Sequence, residues 1–255
     1  DIPFEGPYNA HYFEPGYCML RDDYVYDRGS VTTLEDVCMM PNLEQLALYQ
    51  QRVTDISPLA GLPLKHLALS DNPIEDFTPL ASLTGLTYLD VCSTDFRDAS
   101  VLAGMTGLTT LRAAKTSVTD WSSIVSCPIE ELYIGYESIV RNPDVLRGFH
   151  GLKTLRMLSI PEAGWETVTG LTTLESLDTV IYPFENLHAL APLIKLKFLR
   201  VNESSALSSL EGVEKLTGLK SLDISSSGVT DLSPLYALPS LQELVLCDTP
   251  VADYK

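Results

Sequence analysis

A chain of 255 residues that is 45% hydrophobic can bury the core of one or two ordinary domains. Its 34 acidic and 17 basic side chains give a net charge of −17, which repels nucleic-acid phosphates and anionic membrane surfaces, so neither is an expected partner. No apolar run reaches the ~18–20 residues of a membrane span, and five cysteines without a C-x-x-C spacing support neither a zinc site nor a disulfide framework.

Residues 1–20 set Phe4, Tyr8, Tyr12, Phe13 and Tyr17 among prolines and glycines. They read as a cap over the open end of the core that follows, with an aromatic ligand cage as the alternative. Cys18 and Cys38 can pair near this end, or stay free as small apolar residues. Arg21-Asp-Asp-Tyr24-Val-Tyr26 fits a degenerate strand, and Val31, Leu34, Val37 and Met40 fit the return that follows it. Asp1 in place of Met points to a processed form or an excerpt.

From residue 43 the pattern Leu-x-x-Leu-x-Leu recurs. It opens at Leu43, Leu64, Leu86, Leu108, Ile129, Leu152, Leu174, Leu196, Leu219 and Leu241, in steps of 21 to 23 residues. One copy reads Leu64-Lys-His-Leu67-Ala-Leu69-Ser-Asp-Asn72-Pro-Ile74-Glu-Asp-Phe77-Thr-Pro-Leu80-Ala-Ser-Leu83. Its first half alternates apolar and other residues, which is strand periodicity. Its second half spaces apolar residues three apart, which suits a 3₁₀ turn or short helix with one buried face. Ser57-Pro58, Thr78-Pro79 and Ser233-Pro234 are start signals, since a hydroxyl can cap free amides and proline fits the first helical position. One unit cannot bury its leucines alone; stacked units share a continuous core.

Short polar residues follow the strands at Gln51, Asn72, Thr94, Thr116, Ser227 and Thr249, and are expected to satisfy loop backbone groups. Asp55, Asp76, Asp98, Asp120, Asp231 and Asp253 precede the helical returns. One carboxylate per unit falls short of the roughly 6–8 oxygens calcium takes, so turn capping is expected of them and no metal. Units 129–195 depart from the pattern, with Asn142-Pro-Asp in a lengthened return, Leu158-Ser-Ile-Pro-Glu-Ala-Gly164 in place of a polar turn, and the apolar Val180-Ile-Tyr-Pro183. Drift and a specialised contact region both account for them. The last residue, Lys255, falls inside an eleventh turn with no polar cap, which leaves room for more protein beyond it or for self-association through that end.

Gln-Arg-Val53-Thr-Asp-Ile56-Ser-Pro-Leu59-Ala-Gly-Leu62 and Gly-Val229-Thr-Asp-Leu232-Ser-Pro-Leu235 resemble the convex-side segment of bacterial internalin-type leucine-rich repeats. The resemblance covers residues 43–255 and, more weakly, 21–42. It implies an α/β solenoid over 21–255: a right-handed superhelix of about eleven turns, with a concave parallel sheet and short 3₁₀ or helical convex segments. It also implies protein recognition, without naming the ligand.

If Leu46 and Leu48 point inward, alternate residues face the concave surface. The middle column of that surface carries Asp90, Arg112, Tyr133, Arg156, Asp178, Arg200 and Asp223. Tyr88 and Phe198 stand in the column before it, and Tyr136 just beyond the column after it. Arg and Tyr are enriched in binding hot spots, so Tyr88, Arg112, Tyr133, Tyr136, Arg156, Phe198 and Arg200 are the candidate partner-binding residues. The competing expectation is a solvated charge ladder in which the three aspartates pair with the arginines.

Nothing points to catalysis or a cofactor. Phosphate-loop, dinucleotide, zincin and hydrolase motifs are all absent. Of His11, His66, His150 and His188, only His66 shares a face with a cysteine, Cys92, and no third group orients that pair. The triplet Asn202-Glu-Ser204 matches a glycosylation sequon of the kind that arises by chance. The expected function is non-catalytic binding of a protein ligand through the concave face. The resemblance and the non-Met start favour a bacterial surface or secreted protein. The cysteines favour a cytoplasmic recognition domain of a larger regulatory or effector enzyme.

Overall fold

The computed structural model describes residues 29–135, 142–157, 160 and 162–251. The strands are β1 Gln45–Ala47, β2 His66–Ala68, β3 Tyr88–Asp90, β4 Thr110–Ala113, β5 Glu131–Ile134, β6 Thr154–Met157, β7 Ser176–Val180, β8 Phe198–Asn202, β9 Ser221–Asp223 and β10 Glu243–Val245. They form one parallel sheet in sequence order. The register places the same repeat position side by side throughout: Leu46, Leu67, Leu89 and Leu111 are consecutive partners, as are Leu199, Leu222 and Leu244. The leucine period has this consequence because a one-residue slip would turn every leucine of a strand to the other face.

The returns are short 3₁₀ segments such as Ser57–Leu59, Thr78–Ser82 and Ser233–Ala237, with one α-helical turn among the described residues, α1, at Trp165–Thr169. Proline sits in the first positions of the three named turns, as its fixed φ favours. Ile74, Phe77, Leu80 and Leu83 are all buried, and one hydrophobic cluster runs from Leu34 to Leu238. The strand residues and the return residues therefore close on each other across a single interior.

Of the two expected caps, the aspartates and the hydroxyls, only the aspartates reach the amides. The hydroxyls of Ser57, Thr78 and Ser233 cap nothing; the preceding aspartate does. Asp55, Asp76, Asp98, Asp120 and Asp231 each accept the amide two residues ahead at 2.7–2.8 Å. Ser57, Thr78 and Ser233 then donate their hydroxyls to the second oxygen of the same carboxylate. Asn186 does the same for His188 at 3.1 Å, so the position needs a carbonyl-type oxygen and not a charge. Asp253 lies outside the described residues.

The polar residues after the strands bond the loop backbone as expected at Gln51, Asn72, Thr94, Thr116 and Thr249, whereas the buried hydroxyl of Ser227 meets no partner among the described residues. Asn72 donates to the carbonyls of Leu69 and Ser70 and accepts the amide of Val53. Thr94, Thr116 and Thr249 donate to Val91, Ala113 and Leu246. The residue just before this position adopts a positive φ in each clear turn: Gln50, Asp71, Ser93, Lys115, Ile181, Glu203, Ser226 and Asp248, at 52–62°. Ile181 is the strained member, because a β-branched side chain crowds the left-handed region.

The irregular units fill with aromatics. Trp165 and Tyr182 are buried, with ring centroids 4.9 Å apart, and Phe184 stands edge-on to both. The apolar turn at 180–183 thus feeds the core. Toward the start, Leu34 is buried, whereas Val31 and Met40 are exposed against the reading of that segment. Residues 1–28, and with them the expected cap, lie outside the described residues. So does Cys18, while Cys38 carries a free thiol that donates to the Glu35 carbonyl at 2.9 Å. At the other end, β10 is hydrogen-bonded to β9 only, among the described residues, and Leu241, Leu244 and Leu246 are half-buried.

Candidate protein-binding face

With the leucines inside, the alternate strand residues line the opposite face of the sheet. The register sets Asp90, Arg112, Tyr133, Arg156, Asp178, Arg200 and Asp223 side by side on seven consecutive strands. Neighbours stand ~4.8 Å apart, within reach of long side chains.

They form a connected row. Arg200 donates from Nε to Asp223 at 2.9 Å and from Nη1 to Asp178 at 3.4 Å. Asp178 also accepts Arg156 Nε at 2.7 Å. The guanidinium carbons of Arg156 and Arg112 lie 5.4 and 5.5 Å from the ring centre of Tyr133, one from each neighbouring strand. Arg112 then meets Asp90 at 3.6 Å and the hydroxyl of Tyr88 at 3.4 Å. The expected charge ladder is therefore present, and Arg112 has the longest contacts in it.

Of the candidate residues, Arg112, Tyr133, Arg156 and Arg200 lie in the row, and Tyr88 touches it. Tyr133 is only 5% exposed, so it braces two arginines more than it offers a face of its own. Tyr88 stacks on His66 with centroids 3.9 Å apart and planes 5° off parallel. Phe198 is 50% exposed and stands two residues before Arg200, on the same face of β8. Tyr136 lies outside the described residues.

Two features escaped sequence reasoning. Tyr49, just beyond β1, hydrogen-bonds Tyr88 two strands away and lies in the field of Asp90 and Arg112, with the small Ala68 and Ser70 on the strand between. The signal was the pair of small residues on the intervening strand. A second ladder runs three residues before the row, at the entry to the strands: Glu44–Lys65 at 2.7 Å, Glu130–Lys153 at 2.8 Å and Glu175–Lys197 at 2.6 Å. Its members are well exposed, and such pairs contribute little.

Burial sets the protonation of the face. It holds His66 below its ordinary value, partly offset by Asp90, so the imidazole is neutral at pH 7. Burial also pushes the Tyr88 phenol up. For Arg112 burial works against the charge, but Asp90 and Tyr88 outweigh it and the guanidinium is held cationic.

The Cys92–His66 pair does not form. Cys92 lies four residues beyond Tyr88, the strand partner of His66, which is about 13 Å along the sheet. Cys92 packs with Ala114 and Tyr133. Among the described residues, no group of three or more His, Cys, Asp or Glu is placed to hold a metal ion. No described helix is long and apolar enough to cross a membrane.

No protein-family model matches the sequence, and no curated protein is similar to it. Solved structures are. An internalin (inlF) from Listeria monocytogenes superposes with a TM-score of 0.54 at 22% identity, over 88% of this chain and 80% of that one. A leucine-rich-repeat protein of Leptospira interrogans gives 0.60 at 19% identity, over 84% of this chain and 57% of its own. The plant peptide hormone receptor RGFR1, in complex with RGF2, gives 0.52 at 16%, over 86% of this chain and 42% of its own. The ordered parallel sheet, the short returns and these superpositions establish the chain as a leucine-rich-repeat solenoid.

Proposed function

We propose that this chain is a non-catalytic recognition module that binds a protein partner across the sheet face carrying Tyr88, Arg112, Arg156, Phe198 and Arg200. The observation that carries this is the pairing of a half-exposed phenylalanine with a row of ordered, partly exposed arginines on one rigid sheet. An exposed aromatic beside oriented guanidinium groups has the composition of binding hot spots. A sheet that long presents many such side chains without loop rearrangement, so little ordering entropy opposes association. The plant receptor of the same fold, solved with RGF2, supports the reading.

The test starts from binders selected out of a phage-displayed random peptide library. Phe198→Glu removes binding and Tyr236→Glu does not. Tyr236 is 88% exposed on a return segment, so both variants fold and differ only in the face they alter. Binders indifferent to Phe198→Glu overturn the reading.

We further propose a bacterial surface or secreted setting, on the likeness to Listeria and Leptospira proteins. The four free thiols among the described residues favour the alternative of a cytoplasmic recognition domain within a larger regulatory or effector enzyme. A wall anchor or an appended catalytic domain in the full gene product decides between them. The edge of β10, which pairs only with β9 among the described residues, supports self-association as a second contact, and a monomer at every concentration in light scattering removes it.

A further inference from the structure

Phe198 is half exposed because its partners on the flanking strands, Ser176 and Ser221, are too small to cover a phenyl ring. Ile194, at the turn into the same unit, is exposed as well, and Lys195 and Lys197 stand between the two. Residues 186–202 hold three cations, Lys195, Lys197 and Arg200, and no acid, in a chain whose acids outnumber its bases 34 to 17. The ladder at the strand entries ends here. Glu130 meets Lys153 and Glu175 meets Lys197, but the next position is Lys220 where a third glutamate would continue the alternation. The neighbours of Lys220 at that level are Lys197 and Gln242. Glu243, on β10, accepts the hydroxyl of Ser221 at 2.6 Å. Among the described residues Lys195 and Lys220 form no ion pair, and both are exposed; Lys195 only adds its field to that of Lys197 at Glu175.

We propose that the protein partner packs an apolar side chain on Phe198 and sets the carboxylate of an aspartate or glutamate in the same segment on Lys220. This rests on the sheet face being the binding surface. Lys220 stands one strand step and one residue level from Phe198, about 6 Å along the backbone grid, which an extended segment covers in one or two residues. The ammonium on its flexible stem can follow a carboxylate that arrives there. The net charge of −17 does not oppose the contact. Charges beyond about 8–10 Å are largely screened in physiological salt, so the approaching acid meets Lys195, Lys197 and Lys220 before the distant carboxylates. A basic segment is repelled by the same lysines, and this repulsion adds specificity to the apolar contact.

The experiment uses the intact chain and the library-selected peptides. Peptides that depend on Phe198 carry an aspartate or glutamate beside an apolar residue. Lys220→Glu weakens them about tenfold, since the reversal replaces an attraction with a repulsion. Arg97→Glu, an equal change of charge at an exposed residue outside the sheet, leaves their binding unchanged. Changing the acid of the peptide to lysine restores binding to Lys220→Glu while weakening it to the parent chain, which assigns the contact to this pair and separates it from a damaged fold. Peptides that lose binding to Phe198→Glu but keep it in Lys220→Glu overturn this inference and leave the binding face standing. Peptides indifferent to Phe198→Glu overturn the face itself. A loss in Lys220→Glu that the reversed peptide does not recover also overturns the proposed contact.

Discussion

The hydroxyl of Ser204 accepts the backbone amide of Tyr182 at 2.7 Å, across one turn of the solenoid. It also donates to the carbonyl of Asn202 at 3.0 Å. Ser204 is fully buried and does for its turn what Asn72 does for the amide of Val53. The third residue of the apparent sequon is thus a buried structural link. Ser204→Ala leaves an interior amide without its acceptor and should cost about 1–3 kcal/mol. Urea denaturation measures it; an unmoved midpoint would remove this role.

The aspartates that start the returns predict an acid-sensitive fold. Hydrogen bonds from the residue two ahead hold Asp55, Asp98, Asp120 and Asp231 below their ordinary value of 3.8. The amide acts first for Asp55, Asp120 and Asp231, and the hydroxyl first for Asp98. A carboxylate depressed on folding stabilises the native state above its unfolded pKa. That stability is lost as pH falls through the folded one. Melting temperature should therefore drop below about pH 3.8. Changing all four to asparagine keeps the accepting oxygen, as Asn186 illustrates, and removes the titration. The expected result is a shallower acid limb, with Asp95, Glu175 and Glu214 supplying what remains.

Ile181 holds φ of 62° while its side chain is 56% exposed. Little burial is gained there to offset the crowding of a β-branched residue in the left-handed region. Ile181→Asn should raise stability by about 1 kcal/mol, since asparagine tolerates that conformation. A fall in melting temperature by calorimetry would mean that Ile181 makes a contact worth more than its strain.

Much of the architecture was legible before any coordinates. The ten openings of the leucine pattern coincide with the ten strands, because a period-two apolar alternation has only one way to bury itself in a stacked array. The polar residues after the strands were legible for a similar reason: a tight turn next to a core leaves backbone groups that water cannot reach. Capping by the aspartates was legible too, but the hydroxyls were also expected to cap, because Asp-x-Ser-Pro offers two oxygens at neighbouring positions. Spacing alone does not say which one reaches the amide. The left-handed residue of each turn went unseen, since Gln50, Lys115 and Ile181 share no side-chain chemistry that marks it.

The arginines and aspartates of the outward column were also visible as residue types, and so was the competition between a contact surface and a ladder. Their pairing was not. Arg156 and Asp178 are 22 residues apart in the chain and 2.7 Å apart in the fold. Only the strand register brings them together, and only side-chain packing sets Tyr133 beneath two guanidiniums while leaving Phe198 half in solvent. Sequence determined the repeat, its core and its faces, because burial of apolar area depends on local periodicity. Tertiary structure decided which charges neutralise each other and which side chains remain available, because those depend on distances that no single repeat contains.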